Sequence, residues 1–97
     1  MERLVTGTRI SSEGMDARRR RLKFRCWHRG MREMDFVLGR FADAELSRLS
    51  DAELDEVERW LDIPDQQMFA WVSGAEAAPA EIDTALFRRL IAFHRKT

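Results

Sequence analysis

Residues 29–33 of the sequence bring together side chains that are well suited to recognising a partner. They read Arg29-Gly30-Met31-Arg32-Glu33 and fall between two predicted helices. A guanidinium such as that of Arg29 can form two parallel hydrogen bonds to a carboxylate or a phosphate. Gly30 lets the backbone turn sharply without a side chain that would block an approaching surface. Glu33 lies where its charge suits the dipole of the next helix. The segment predicts a binding turn, and the alternative is an ordinary helix–helix corner with a local ion pair.

Residues suited to catalysis are scarce in this sequence. It has no Tyr, no Gly-rich phosphate loop and no Ser, His and Asp in a recognisable nucleophilic arrangement. His28 and His94 lie near predicted helix C-termini, where a cation is favourable. Arginine neighbours could lower the pKa of the single cysteine, Cys26, but a place in the core beside Leu22 is favoured. We predict no catalytic residue, no metal site and no tightly bound cofactor.

The formal charges cancel, because 17 Lys and Arg balance 17 Asp and Glu. They are unevenly distributed, however: residues 1–32 carry a net charge of +7 and residues 33–66 carry −8. Such a distribution is typical of a small protein that meets other surfaces. The basic run over residues 18–25 permits nucleic-acid binding, which the pI of about 6.7 disfavours. Trp27 stands close to Arg25 and Arg29, and since interfaces are rich in Trp and Arg, we predict that it is a partly exposed anchor.

The elements that position these residues are predicted to be helices. Helix-forming runs extend over residues 16–28, 32–43, 50–61, 64–74 and 82–96, without an alternating strand pattern. Ser50 and Glu53 have the spacing of a capping box, and Pro64 suits the first turn of the fourth helix. The sequence therefore predicts an all-α fold, a compact five-helix bundle. We expect one helical domain over residues 15–97, preceded by a mobile, disordered tail over residues 1–14.

The order of these segments resembles one known family, the FAD assembly factors of the SdhE type, which are related to the mitochondrial succinate dehydrogenase assembly factor. The resemblance rests on the basic first helix, the Arg-Gly-x-x-Glu motif and its continuation. It also includes three later segments and covers about residues 16–95; the matching stretches are 29–41, 49–54, 61–65 and 69–74. It implies a chaperone, not an enzyme, which promotes covalent attachment of FAD to a histidine in the flavoprotein subunit of succinate dehydrogenase or fumarate reductase.

By this resemblance Arg29, Gly30 and Glu33 form the contact surface for the flavoprotein subunit. The full set of predicted partner-binding residues is Arg25, Trp27, Arg29, Gly30, Glu33 and Asp35. We expect a cytoplasmic, monomeric protein that does not bind nucleic acid. We also expect that it does not insert into a membrane, because its apolar runs are only a few residues long. Two alternatives stay open: an antitoxin-like or inhibitory protein-binding module, a label that some relatives have carried, and a nucleic-acid-binding helical domain.

Overall fold

The chain folds into five α-helices over the residues that the structure, a computed structural model, describes, which are residues 15–96. No strand occurs in that range, so the all-α five-helix prediction is confirmed. A short 3₁₀ turn at Leu46–Arg48 joins the second and third helices. The predicted tail, residues 1–14, lies outside the described residues. The helices are α1 (Ala17–Trp27), α2 (Arg32–Glu45), α3 (Asp51–Leu61), α4 (Asp65–Ser73) and α5 (Ala85–Arg95).

Three helices begin with a side-chain cap that satisfies a backbone N–H left without a partner in the first turn. Asp16 accepts a hydrogen bond from the third helical residue of α1, and Thr84 does the same for α5. At α3, Ser50 accepts from the Glu53 N–H at 3.2 Å, while the Glu53 carboxylate accepts from the Ser50 N–H at 2.9 Å. The capping box predicted from the sequence is therefore confirmed.

Helices α4 and α5 begin later than predicted. Pro64 is the residue before α4, with extended ψ, and not a member of its first turn. Helix α5 begins at Ala85 and not at Ile82, because Ile82 and Asp83 donate to the Pro79 carbonyl in a separate turn. Helix α2 also continues two residues past the predicted end and passes directly into the 3₁₀ turn.

The helices meet in one apolar core. Helix α1 packs against α2 and α3, α2 packs against α4 and α5, and α4 packs against α5. Trp60 is 1% exposed and lies at the centre, with its ring 6.1 Å from that of Phe41 and 6.0 Å from that of Phe87. Cys26 belongs to the same core, as predicted. The core thus fixes α1 and α2 as a pair, and the 29–33 turn joins them.

Candidate functional site

The 29–33 turn has a backbone that favours glycine. Gly30 adopts a φ of +96°, in the left-handed region that L side chains rarely adopt. It is exposed, and a Cβ added there would meet no atom within 4 Å. The next residue, Met31, caps α2 with its carbonyl, which accepts from the Met34 and Asp35 amides at 2.9 Å each. Glycine is therefore required by the backbone, and the space in front of it is open to a partner.

Arg29 points into the protein and fastens the turn to the junction between α3 and α4. Its Nε donates to Asp65 Oδ1 at 3.0 Å, and its Nη2 donates to the Leu61 carbonyl at 2.8 Å. The side chains of Arg29 and Asp65 are only 14% and 16% exposed. The Arg29 backbone N–H also donates to the Asp35 carboxylate. The ion pair of Arg29 is thus made with Asp65, in place of the local pair with Glu33 that the sequence allowed.

Glu33 faces the opposite way, toward solvent. It lies in the first turn of α2, and no hydrogen bond or ion pair within residues 15–96 engages its carboxylate. Arg32, beside it, is exposed as well and has no acidic partner in the same range. The motif therefore divides into an inward Arg29, which holds the turn in place, and an outward part formed by Gly30 and Glu33.

Trp27 and its neighbours form the seam between α1 and α2. The indole ring lies so close to Gly39 that a Cβ at that position would overlap it. Its Nε1 donates to Asp43 Oδ1 at 3.1 Å. Asp43 also lies 3.5 Å from the ammonium of Lys23, a lysine that is 4% exposed. Trp27 is half-buried, as the sequence predicted, but its packing is directed toward the protein's own helices; Arg25 is more exposed and lies 3.8 Å from Asp62.

Two exposed aromatic side chains were missed by the sequence interpretation. Phe24 is 57% exposed and stacks on His28 with ring centroids 4.0 Å apart. Phe36 is 45% exposed, and the guanidinium of Arg40 lies 4.8 Å above its ring. Helical spacing contained the signal, because each phenylalanine falls outside the apolar stripe of its own helix.

Part of the uneven charge distribution is paired between the helices of the protein itself. Arg18 donates to Glu58 at 3.0 and 2.9 Å and also pairs with Asp55. These hydrogen bonds lower the pKa of Glu58. Arg25 of α1 and Arg29 of the following turn pair with acids at the end of α3 and the start of α4. Opposite charges here hold the protein's own helices together, and the expectation that the uneven distribution marks a protein that meets other surfaces stays a prediction.

The structure gives no support to a nucleophilic cysteine. Cys26 is 2% exposed, and burial raises the pKa of its thiol to about 12, despite the nearby cations of Arg25 and Arg29. Within residues 15–96 no cluster of three or more His, Cys, Asp and Glu side chains is arranged to hold a metal ion. In the same range no helix has the length and apolar character needed to cross a membrane.

Comparison with known proteins places these features in a family. The family model described as flavinator of succinate dehydrogenase matches residues 20–94. The chain belongs to this family. The resemblance predicted from the 29–33 motif and its continuation is thereby confirmed. No solved structure matches the chain.

The chain is similar to proteins from bacteria and from mitochondria. The FAD assembly factor SdhE of Acetobacter pasteurianus is 37% identical over 82 residues, which cover 84% of this chain and 75% of that protein. The mitochondrial succinate dehydrogenase assembly factor 2 of Mycosarcoma maydis is 42% identical over 69 residues, covering 71% of this chain and 29% of that protein. That of Dictyostelium discoideum is 31% identical over 78 residues, covering 80% and 55%. The chain thus spans less than two thirds of these two mitochondrial relatives.

Proposed function

We propose that this flavinator binds the flavoprotein subunit of succinate dehydrogenase, or of fumarate reductase, and promotes covalent attachment of FAD to a histidine of that subunit. The observation that carries the proposal is the exposed 29–33 turn of a family member. There an open glycine lies beside a glutamate that no residue in the range 15–96 engages. The surface is small, rigidly supported and free of side-chain obstruction, which suits a transient protein–protein contact.

The proposed role is that of a chaperone and not of an enzyme. The bond joins a histidine nitrogen of the flavoprotein to the 8α carbon of the flavin, so both reacting groups belong to the client and its cofactor. The factor contributes binding free energy that holds the client domains in a geometry favourable to bond formation. Neither the inert thiol of Cys26 nor a cofactor of its own takes part. We further propose that the protein acts as a monomer in the cytoplasm.

The residues of the turn have different roles in the proposed contact. Glu33 and the backbone at Gly30 contact the client, and Arg29 holds them in position through Asp65. Asp35 supports the turn because it accepts the Arg29 backbone N–H. Two further predicted residues, Trp27 and Arg25, border this surface; Trp27 stabilises the α1–α2 seam, and the half-exposed Arg25 is available to the client. We therefore propose that some of the predicted residues contact the client and that others hold those residues in position.

The test is co-expression of the flavoprotein subunit with and without this protein, followed by in-gel flavin fluorescence after denaturation. We expect covalent flavin to rise with the wild-type chain, and to fall toward the factor-free level with Gly30→Arg or Glu33→Ala. Far-UV circular dichroism of each purified variant checks that the helices persist. Equal covalent flavin with and without the wild-type chain, in cells where attachment is limiting, would contradict the proposal.

A further inference from the structure

Two neighbouring helices present an aromatic and basic surface that the 29–33 motif does not include. Phe24 and Phe36 are the two large hydrophobic side chains classed as exposed within residues 15–96. On α1 the exposed positions follow helical spacing, and on α2 the exposed Arg32 and Phe36 are followed four residues later by the half-buried Arg40. We call this surface the outer face, and it consists of Arg21 and Phe24 on α1, His28 directly after α1, and Arg32, Phe36 and Arg40 on α2.

The seam between α1 and α2 brings the two halves of the outer face side by side. Trp27 lies against Gly39, so the two helices touch at these positions. Phe24 precedes Trp27 by three residues and Phe36 precedes Gly39 by three, a spacing at which side chains are neighbours on a helix. Both phenylalanines are exposed and lie one helical turn from this contact between the helices. Glu33 precedes Phe36 by three residues, which makes the outer face continuous with the 29–33 turn.

The outer face is positively charged, and no acidic side chain of the described residues pairs with its arginines. Arg21 and Arg32 have no acidic partner within residues 15–96, and the contact recorded there for Arg40 is with the Phe36 ring. Arg18 of α1 and Arg29 of the turn behave differently, because they are held by carboxylates of α3 and α4. Among the described residues, arginines without an acidic partner therefore lie on the side of the helix pair that also exposes aromatic rings.

We propose that the outer face docks onto an acidic surface of the flavoprotein client, with apolar client side chains packed against Phe24 and Phe36. This proposal rests on the proposed function and extends the contact beyond the 29–33 turn. Arginine and aromatic side chains together are the composition of interface hot spots. An acidic partner complements Arg21 and Arg32, and such complementarity accelerates association.

The charge of the outer face also disfavours two other binding partners, a second copy of this chain and a nucleic acid. In a symmetric dimer the same patch meets itself, so the arginines of one copy would face those of the other. A nucleic-acid backbone would bring phosphates next to Glu33, the carboxylate that borders the outer face, and this would cost electrostatic free energy.

The experiment measures binding of the full chain to the purified flavoprotein subunit prepared without covalent FAD. Variants of the outer face are the double substitutions F24A/F36A and R21E/R32E. Arg95→Glu is the charge control, since Arg95 is an exposed arginine on α5, away from this face. We expect F24A/F36A to raise the Kd at least about tenfold, the size of effect that a pair of interface hot spots produces. R21E/R32E should slow association and flatten its dependence on salt.

The outcomes separate this proposal from the one on which it rests. Thermal unfolding midpoints close to that of the wild type would assign weaker binding to the surface and not to the fold. If F24A/F36A binds as the wild type does while Glu33→Ala loses binding, the outer face is not part of the contact, although the proposed function stands. If the wild-type chain does not bind the subunit, both proposals fail. If the double variants abolish dimer formation or binding of a labelled RNA, and leave client binding intact, the outer face serves another occupant and this proposal is overturned.

Discussion

The guanidinium of Arg29 and the carboxylate of Asp65 form an ion pair that joins residues 36 positions apart, with Nε 3.0 Å from Oδ1. Both side chains are largely buried, and the same guanidinium holds the Leu61 carbonyl. The resemblance predicts that Arg29 contacts the partner, and these buried contacts support our proposal that it positions the turn instead. Asp65, about thirty positions from the motif, becomes part of the same functional unit.

Removal of either partner of this pair is expected to destabilise the protein. We expect Arg29→Met or Asp65→Asn to lower the free energy of unfolding by about 1–3 kcal/mol, because each leaves a buried polar group unsatisfied. Urea denaturation followed by circular dichroism measures the change. Arg25→Met is the control, since the exposed Arg25–Asp62 pair at 3.8 Å should contribute at most about 1 kcal/mol. Similar losses for Arg29→Met and Arg25→Met would contradict the assignment.

The two glycines with positive φ offer a comparison of backbone strain with function. Gly30 and Gly74 have φ values of +96° and +88°, and neither has an atom within 4 Å of an added Cβ. Alanine at either position should cost about 1–3 kcal/mol, because an L residue is strained there. We expect both variants to lower the unfolding midpoint alike, but only Gly30→Ala to reduce covalent flavin in the co-expression assay beyond that loss. Equal flavin yields from the two variants would indicate that the turn acts through stability alone.

Gly39 is required for space and not for backbone freedom. Alanine at this position would overlap the Trp27 ring, and we expect Gly39→Ala to destabilise the protein by about 1–3 kcal/mol. In a Trp27→Ala background the sign should reverse, because alanine is the better helix former by about 1 kcal/mol. Unfolding free energies of the four proteins form a double-mutant cycle. A coupling energy near zero would show that the contact between Trp27 and Gly39 does not constrain the helices.

The Arg18–Glu58 pair predicts a dependence of stability on pH. Because its hydrogen bonds with Arg18 lower the pKa of Glu58 below 4.5 in the folded state, the stabilisation is present above pH 4.5. It is lost as pH falls through the lowered pKa, where the carboxylate becomes protonated. We expect the wild type and Arg18→Gln to differ in thermal midpoint at pH 7 and to converge below pH 4.5. A difference that stays constant down to acidic pH would exclude the pair as its source.

Cys26 should be unreactive in the folded protein. Its burial and raised pKa, about 12, leave almost no accessible thiolate at neutral pH. We expect labelling by a thiol reagent at pH 8 to be slow in buffer and fast in denaturant. Rapid labelling of the native chain would mean that α1 opens readily from the core.

Periodicity and capping rules were sufficient to predict most of the fold. Met34, Val37 and Phe41 lie on the core side of α2, and the capping box of Ser50 places the start of α3 correctly. The start of α5 could not be predicted in the same way. Ile82 lies at helical spacing from the apolar residues of α5, but it belongs to a separate turn. The residue that caps the helix is Thr84, which follows that turn.

The sequence motif indicated the candidate site, but tertiary contacts decide which of its side chains are buried and which are exposed. Sequence spacing pairs Arg29 with the nearby Glu33, whereas the fold brings Asp65 to it from the start of α4. Likewise Lys23 belongs to a basic run and is nevertheless buried against Asp43. Contacts across 20 to 36 residues depend on how the helices are arranged, and local patterns do not specify that arrangement.

The hydrogen bonds of Arg29 also affect how the protein opens locally. Its side chain holds the last residue of α3 and the first residue of α4, while its own amide is held by Asp35. Because these contacts join the 29–33 turn to the α3–α4 junction, we expect the two segments to open together. The two segments form one cooperative opening unit, and their amide hydrogens should exchange with solvent at a shared rate although they are far apart in the chain.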